Sequence, residues 1–246
     1  MKNDNKIFGL HPVLEAIDSG KTIDKLFVQK GLQGELASEV LRKARALGIP
    51  MQYVPVQKLN KLTRKNHQGI FGYLSPIEFY KIDQILPLVY EKGENPFFLI
   101  LDRLSDVRNF GAIARTAECC GVHAIVVPER GAAAINEDAL KTSAGALFKI
   151  PVCREKSLKE VVSFLQLSGV SVVCATEKTE DTIYNTDLTK PLAIVMGNEG
   201  DGVAEELLNR ADYLAKLPMR GEIGSLNVSV ACGAFLYEAI RQREFA

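Results

Sequence analysis

The chain has 246 residues, of which 47% are hydrophobic and 24% charged, and its formal net charge at pH 7 is zero. This length accommodates one large domain or two moderate ones, and the composition is that of an ordinary globular protein. No apolar run approaches the roughly 18 residues of a membrane span, and the N-terminal MKNDNKIFGL lacks the apolar core of a signal peptide. We therefore expect a cytoplasmic protein without a membrane partner.

The cysteines and histidines indicate neither a disulfide framework nor a metal site. The five cysteines are an odd number without a CxxC pair, which favours reduced thiols. The three histidines, His11, His67 and His123, are far apart in sequence, and no HExxH motif is present. We expect no bound metal.

Charge is distributed unevenly along the chain. Residues 1–80 hold 12 Lys and Arg against 7 Asp and Glu, whereas the remainder holds 18 against 23. A basic N-terminal part favours an anionic partner. Its pattern predicts a small α/β module with a short strand and helix within 6–17, strands at 24–29, 51–56 and 70–75, and a helix at 34–47.

The segment at 58–69, KLNKLTRKNHQG, is basic and contains no acidic residue. Its cations are Lys58, Lys61, Arg64 and Lys65. They fit either a solvated helix face or a patch that contacts backbone phosphates. Phe71 and Tyr73 alternate along the strand that follows; aromatic residues on a sheet can stack unpaired bases, but more often they fill a core.

Residues 81–96 contain Pro87, Gly93, Asn95 and Pro96 and are predicted to be a linker with about one helical turn. Beyond them, strand-like and helix-like segments alternate. The strands are predicted at 97–102, 123–128, 148–153, 170–176, 192–197 and 212–218, and the helices at 109–121, 136–147, 157–169, 203–211 and 225–242. This alternation predicts a mostly parallel sheet with helices on both faces.

Three loops follow predicted strands at the sheet edge where α/β proteins bind ligands. They read DRLSDVRNFGAIAR after 97–102, GNEGDGV after 192–197 and MRGEIGSLNVSVA after 212–218. No GxGxxG follows the first strand, and neither a P-loop nor a GxSxG occurs, which argues against dinucleotide, nucleoside triphosphate and serine-hydrolase chemistry. The acids of GNEGDG would repel a pyrophosphate, so the glycines favour an uncharged or cationic ligand.

In this order, the loops resemble the three signature motifs of the SpoU (TrmH-like) RNA 2′-O-ribose methyltransferases of the SPOUT superfamily. Asn109 and Arg115 lie in the first, NFGAIAR; Glu199 lies in the second, IVMGNEGDG; the third is LPMRGEIGSLNVSVA. The likeness runs from Phe97 to the end. The basic N-terminal module resembles the substrate-binding domain of many members, and the closest likeness is to bacterial 23S rRNA guanosine-2′-O-methyltransferases.

The resemblance implies an α/β fold with a SPOUT-type knot, a deep trefoil, in residues 97–246. It implies an RNA substrate-binding domain at 1–80 and a linker at 81–96. It further implies S-adenosylmethionine as cofactor, RNA as partner and a homodimer paired through helices near the cofactor. The C-terminal helix is apolar on more than one face, which fits such a dimer or burial in a monomer core.

The implied cofactor residues are Gly197, Leu217 and Leu226, with Met196, Met219 and Ser225 close by. Gly197 is expected to let the backbone approach the cofactor. Read without the resemblance, both leucines would be core residues.

The implied catalytic residues are Arg115, Asn109, Glu199 and Asn227. Guanidinium groups are very poor bases, so we expect Arg115 to clamp the target phosphate and stabilise the developing alkoxide; an arbitrary arginine would form a surface salt bridge. Asn109 would orient Arg115 or the ribose, or cap its helix. Glu199 would hold Asn109, Arg115 or the third loop, and Asn227 the ribose or cofactor loop. Ser225 would support that loop or cap the last helix.

The sequence thus predicts an enzyme that methylates a ribose 2′-OH in 23S rRNA, at a guanosine. Three alternatives stay open: the same reaction on tRNA, an inactive RNA-binding ribosome-assembly factor, and, more remotely, a dinucleotide-dependent oxidoreductase that lacks the usual fingerprint.

Overall fold

The structure is a computed structural model that describes residues 5–245. The chain divides into two compact units, of which the first ends at Glu78 and the second begins at Phe79. The first unit has a four-stranded sheet in the order β1-β4-β2-β3, in which β1 and β2 are antiparallel to β4 and β3 is parallel to β2. Its strands are β1 (Lys6–Phe8), β2 (Ile23–Gln29), β3 (Met51–Val54) and β4 (Ile70–Leu74), and its helices are α1 (Leu10–Asp18), α2 (Glu35–Ala46) and α3 (Val56–Leu62).

The two faces of this sheet carry different side chains, because alternate residues of a strand point to opposite faces. Leu26 and Val28 of β2 belong to a core that includes residues of α1 and α2. Phe27 of β2 and Phe71 of β4 lie on the other face and pack with Leu59 of α3. The predicted small α/β module is therefore present.

The second unit has a seven-stranded sheet in the order β11-β9-β10-β6-β7-β8-β5. Every pair of neighbouring strands in it is parallel. Its strands are β5 (Phe79–Tyr80), β6 (Phe97–Leu101), β7 (Ala124–Pro128), β8 (Val152–Glu155), β9 (Ser171–Ala175), β10 (Leu192–Met196) and β11 (Tyr213–Ala215). Its helices are α4 (Ile82–Glu91), α5 (Val107–Cys119), α6 (Glu137–Thr142), α7 (Leu158–Leu167), α8 (Glu205–Leu208) and α9 (Val228–Glu244). This confirms the predicted α/β class with a mostly parallel sheet.

The prediction of a linker at 81–96 is wrong. Helix α4 occupies most of that segment, and Ile82, Ile85, Leu86 and Val89 are buried in the core of the second unit. Their spacing of three and four residues places them on one face of the helix. Pro87 lies inside this helix, and burial of the apolar face outweighs its unfavourable effect.

The third loop and the last helix also differ from expectation. Residues 216–227 form neither helix nor strand, and α9 begins at Val228, three residues later than predicted. The last turn of α9 is held at the segment 186–190, because Arg243 donates hydrogen bonds to the carbonyls of Leu188 and Lys190. No helix within residues 5–245 is long and apolar enough to cross a membrane.

Candidate active site

A cavity of about 990 Å³ opens at the carboxyl ends of three neighbouring strands. It is lined by Thr176 after β9, Gly197 after β10 and Lys216 after β11, together with residues of both following loops. Ligands of open parallel sheets bind at this edge of the sheet. The volume is in the range of small-molecule sites.

All six residues predicted to bind the cofactor line this cavity: Met196, Gly197, Leu217, Met219, Ser225 and Leu226. Leu226 is 44% exposed and Leu217 is only partly buried. Interpreting these leucines as core residues is therefore wrong: they are apolar side chains available to a ligand. Phe235 of α9 also lines the cavity and is not among the residues predicted from the sequence.

Gly197 is a glycine for a reason that the sequence analysis did not give. A Cβ at this position would lie 2.0 Å from the carbonyl carbon of Gly202 and 2.2 Å from the backbone nitrogen of Val203. The loop after β10 folds back on its own start, and the amide of Gly202 donates to the carbonyl of Asn198. The missing side chain therefore makes room for the chain itself, while Gly197 still lines the cavity.

Asp102 and Arg103 hold this loop from the neighbouring strand β6, a role that the sequence analysis missed. The buried carboxylate of Asp102 accepts a hydrogen bond from the backbone amide of Ala204 at 2.8 Å and from the guanidinium of Arg103. Arg103 in turn donates to the carbonyl of Gly202 at 3.2 Å. Hydrogen bonding to Asp102 raises the pKa of Arg103, which favours its charged form. The available signal was a carboxylate placed directly after five buried apolar residues.

Three of the predicted catalytic residues form one hydrogen-bonded chain. The side-chain amide of Asn109 donates to Glu199 at 2.5 Å, and the amide of Asn227 donates to the side-chain oxygen of Asn109 at 3.1 Å. The side-chain oxygen of Asn227 accepts from the backbone amide of Ser229. At one end of this chain of hydrogen bonds, the carboxylate of Glu199 can only accept. At the other end, the backbone amide of Ser229 can only donate. These two ends fix which side-chain atom of each asparagine is the oxygen and which is the nitrogen.

This arrangement corrects two predicted helix caps. Asp106 caps α5 by accepting from the backbone amide of Asn109, so Asn109 lies within the first turn of the helix and its side chain is free to reach Glu199. Asn227, rather than Ser225, caps α9.

Arg115 is not part of the hydrogen-bonded chain of Glu199, Asn109 and Asn227. It is on α5, about 9 Å along the helix axis from Asn109 at 1.5 Å per residue. Its side chain is exposed, it does not line the cavity, and the residues at 5–245 offer it no hydrogen bond or ion pair. Within the described residues, Arg115 therefore does not form the surface salt bridge that was the alternative to a catalytic role.

The four basic residues predicted to contact RNA, Lys58, Lys61, Arg64 and Lys65, are exposed in the first unit. His67 of the same segment is buried, and its ring bonds to Asn60 and accepts from the amide of Gly69. The segment therefore has a structural histidine and an exposed set of cations.

Comparison with known proteins identifies the family. The model of the SpoU rRNA Methylase family matches residues 96–237, and the model described as RNA 2′-O ribose methyltransferase substrate binding matches residues 6–80. This chain belongs to the SpoU rRNA methylase family. It is therefore an RNA methyltransferase, and the predicted family, SPOUT-type fold class and enzyme class are confirmed.

Relatives support the assignment over the full length. A Bacillus subtilis (strain 168) protein named as a TrmH family tRNA/rRNA methyltransferase is 37% identical over 237 residues, covering 96% of this chain and 95% of the relative. The AdoMet-bound rRNA methyltransferase of Sinorhizobium meliloti is 27% identical with a TM-score of 0.62, covering 98% and 88%. The SpoU methyltransferase AviRb of Streptomyces viridochromogenes, in complex with AdoMet, is 25% identical with a TM-score of 0.61, covering 97% and 90%.

Proposed function

We propose that this protein transfers a methyl group from S-adenosylmethionine to a ribose 2′-OH of 23S rRNA, at a guanosine. The observation that supports the cofactor and the reaction is that the cavity at the strand ends is lined by both glycine-rich loops and by Glu199 and Asn227, which are hydrogen-bonded to Asn109. The choice of 23S rRNA and of a guanosine rests on the resemblance of the sequence motifs alone. The relatives that bind S-adenosylmethionine share this fold along nearly the whole chain.

The lining of the cavity offers both apolar and charged groups that S-adenosylmethionine can use. Leu226 and Met219 are 44% and 39% exposed, and they offer apolar surface that an adenine ring would cover. Glu177, Glu199, Lys216 and Arg220 also line the cavity. The carboxylates can attract the cationic groups of the cofactor and the basic side chains its carboxylate. The sulfonium of the cofactor supplies an activated methyl group. The protein therefore has to bind the cofactor and the RNA, orient them and exclude water.

The polar residues divide these tasks. Asn109 is held on both sides, by Glu199 and by Asn227, and so presents its remaining amide hydrogen in a fixed direction toward a ribose. Arg115 has no partner in the described chain and is available to bind the phosphate of the target nucleotide in bidentate fashion. In this arrangement Arg115 positions the RNA through that phosphate.

The substrate is tested with RNA from a strain that lacks the gene. Purified protein and radiolabelled S-adenosylmethionine are incubated separately with 23S rRNA, 16S rRNA and bulk tRNA, and the modified position is mapped. Label in 23S rRNA at one guanosine ribose is the expected result. Label confined to tRNA would favour the second candidate, to which the name of the Bacillus subtilis relative, tRNA/rRNA methyltransferase, also points. Bound cofactor without transfer to any RNA would contradict both.

We also propose that the protein is a cytoplasmic homodimer that pairs through α9. Val230 and Tyr237 are 57% and 58% exposed and lie two turns apart on one face of this helix. Sedimentation equilibrium should give twice the chain mass for the wild type and the chain mass for Tyr237→Glu. A monomeric wild type would contradict the proposal.

A further inference from the structure

The second face of the first sheet is rich in aromatic side chains. Phe8, Phe71 and Phe27 are register partners on the adjacent strands β1, β4 and β2, and Tyr73 lies two residues beyond Phe71 on the same face. The rings of Phe8 and Phe71 are stacked with centroids 6.5 Å apart, and Tyr73 meets Phe71 edge-on at 5.2 Å. We call these four residues the aromatic face.

The aromatic face is less completely covered than the opposite one. Two helices of nine and twelve residues pack on the opposite face, whereas the seven-residue α3 packs here through Leu59. Phe71 is fully buried, but Phe8 and Tyr73 are only partly buried. Two rings at this surface are therefore accessible in part.

Three lysines lie close to these rings. The ammonium groups of Lys25 and Lys58 lie 5.1 and 5.3 Å from the centroid of the Phe27 ring, and that of Lys65 lies 5.5 Å from the centroid of Phe8. Among residues 5–245, no carboxylate forms an ion pair with any of the three. Like charges held close together repel one another, so this arrangement favours a bound anion.

We propose that the aromatic face, with Lys25, Lys58 and Lys65, is where the first unit binds unpaired nucleotides of the RNA substrate. Bases stack on Phe8 and Tyr73, and the lysines transfer from the rings to the phosphates. Unpaired bases are required because a duplex keeps the faces of its bases stacked inside, whereas aromatic platforms bind the exposed faces of single strands. The inference rests on the proposed function, which makes RNA the substrate.

The test is a binding measurement on the full-length protein without cofactor. A labelled single-stranded oligoribonucleotide and a blunt duplex of equal length are titrated at one fixed salt concentration. Phe8→Leu and Tyr73→Leu keep apolar volume but remove the ring. Each should weaken single-strand binding by roughly 5- to 150-fold, the range expected for loss of one base–aromatic stack, and leave duplex binding unchanged.

The matched control is Tyr53→Leu in the same unit. Tyr53 is 44% exposed and lies opposite Val28, on the face of the sheet that α1 and α2 cover. It should bind the single strand like the wild type. A comparable loss for Tyr53→Leu and Tyr73→Leu would overturn the assignment to the aromatic face.

The lysines give an independent readout. Replacing Lys58 and Lys65 together by Gln should reduce the slope of log affinity against log salt by about 1.4, because each single-strand phosphate contact contributes about 0.7. The control is Lys92→Gln, an exposed lysine of the second unit, which should leave the slope unchanged. An unchanged slope in the double variant would contradict the phosphate contacts.

Two further outcomes separate the possible failures. Folded Phe8→Leu and Tyr73→Leu proteins with wild-type affinity would overturn the inference, because the aromatic face would then be only a core. Should either variant unfold, the Lys58 and Lys65 double variant decides, since it removes no ring and no apolar core side chain. Absence of methyl transfer by the wild type would overturn the proposed function and leave the binding results standing.

Discussion

Gly197→Ala should disrupt the cavity although it adds one methyl group. The new Cβ would lie 2.0, 2.2 and 2.4 Å from three backbone atoms of Gly202 and Val203, where ordinary contacts begin at 3.4 Å. The loop has to retreat by about 1.4 Å, and no flexible side chain is present that could yield instead. Its movement breaks the bond from Gly202 to Asn198 and strains the bond from Ala204 to Asp102.

The cost of the substitution can be estimated from the cost of overpacking. Overpacking a well-ordered site costs typically 1–3 kcal/mol, and rigid backbone neighbours place this substitution near the upper end. A loss of about 3 kcal/mol in the free energy of unfolding lowers Tm by roughly 6–12 °C for a unit of this size. Affinity for S-adenosylmethionine should fall at least tenfold, because the displaced loop is one wall of the cavity.

The assays are calorimetric unfolding and isothermal titration with S-adenosylmethionine. Gly224→Ala is the matched control: Gly224 also lines the cavity, but nothing lies within 4 Å of a Cβ built there. It should keep the wild-type Tm and bind the cofactor within a fewfold of wild type. A Gly197→Ala protein with unchanged Tm and affinity would refute the argument from the backbone approach.

Three further predictions concern single side chains. Arg115→Ala should lower kcat by about 10²-fold and leave cofactor affinity unchanged, because Arg115 does not line the cavity; an equal loss of affinity would contradict its assigned place. Glu199→Gln, which can still accept from Asn109, should retain kcat within about tenfold in single-turnover assays, whereas Glu199→Ala should lose about 10²-fold; an equally inactive Gln variant would mean that the carboxylate itself takes the proton. Iodoacetamide at pH 8 should label the exposed Cys119 and spare its neighbour, since burial raises the pKa of the Cys120 thiol to about 11; peptide mass spectrometry showing both labelled would contradict this.

The sequence predicted the fold class because local patterns carry it. Buried strands such as Phe97–Leu101 are continuous apolar runs, and the helices between them are amphipathic. Helix α4 was predicted to be a linker because Pro87, Gly93, Asn95 and Pro96 were given more weight than the helical spacing of the apolar residues in this segment. In the structure these apolar side chains are buried and the segment is a helix, since tertiary packing stabilises helices more than propensity does.

The cavity was predictable in part. The resemblance to the SpoU methyltransferases implied that Leu217 and Leu226 lie at the cofactor, and the structure brings both to the wall of the cavity. The reason for Gly197 was not predictable, because the atoms that it accommodates belong to a turn whose conformation depends on Asp102. Local sequence indicates that a glycine is required but not what approaches it.

The polar contacts of the site depend on residues far apart in sequence. Asn109 meets Glu199 across 90 positions and Asn227 across 118, and Asp102 meets Ala204 across 102. Each of these contacts joins a different pair of the elements β6, α5, the loop after β10 and the start of α9. Closing such long connections costs entropy that the packed sheet has to supply first. The geometry of Asn109 is therefore a property of the whole second unit, and its two neighbours in the chain of hydrogen bonds act as positioning residues rather than as independent contributors.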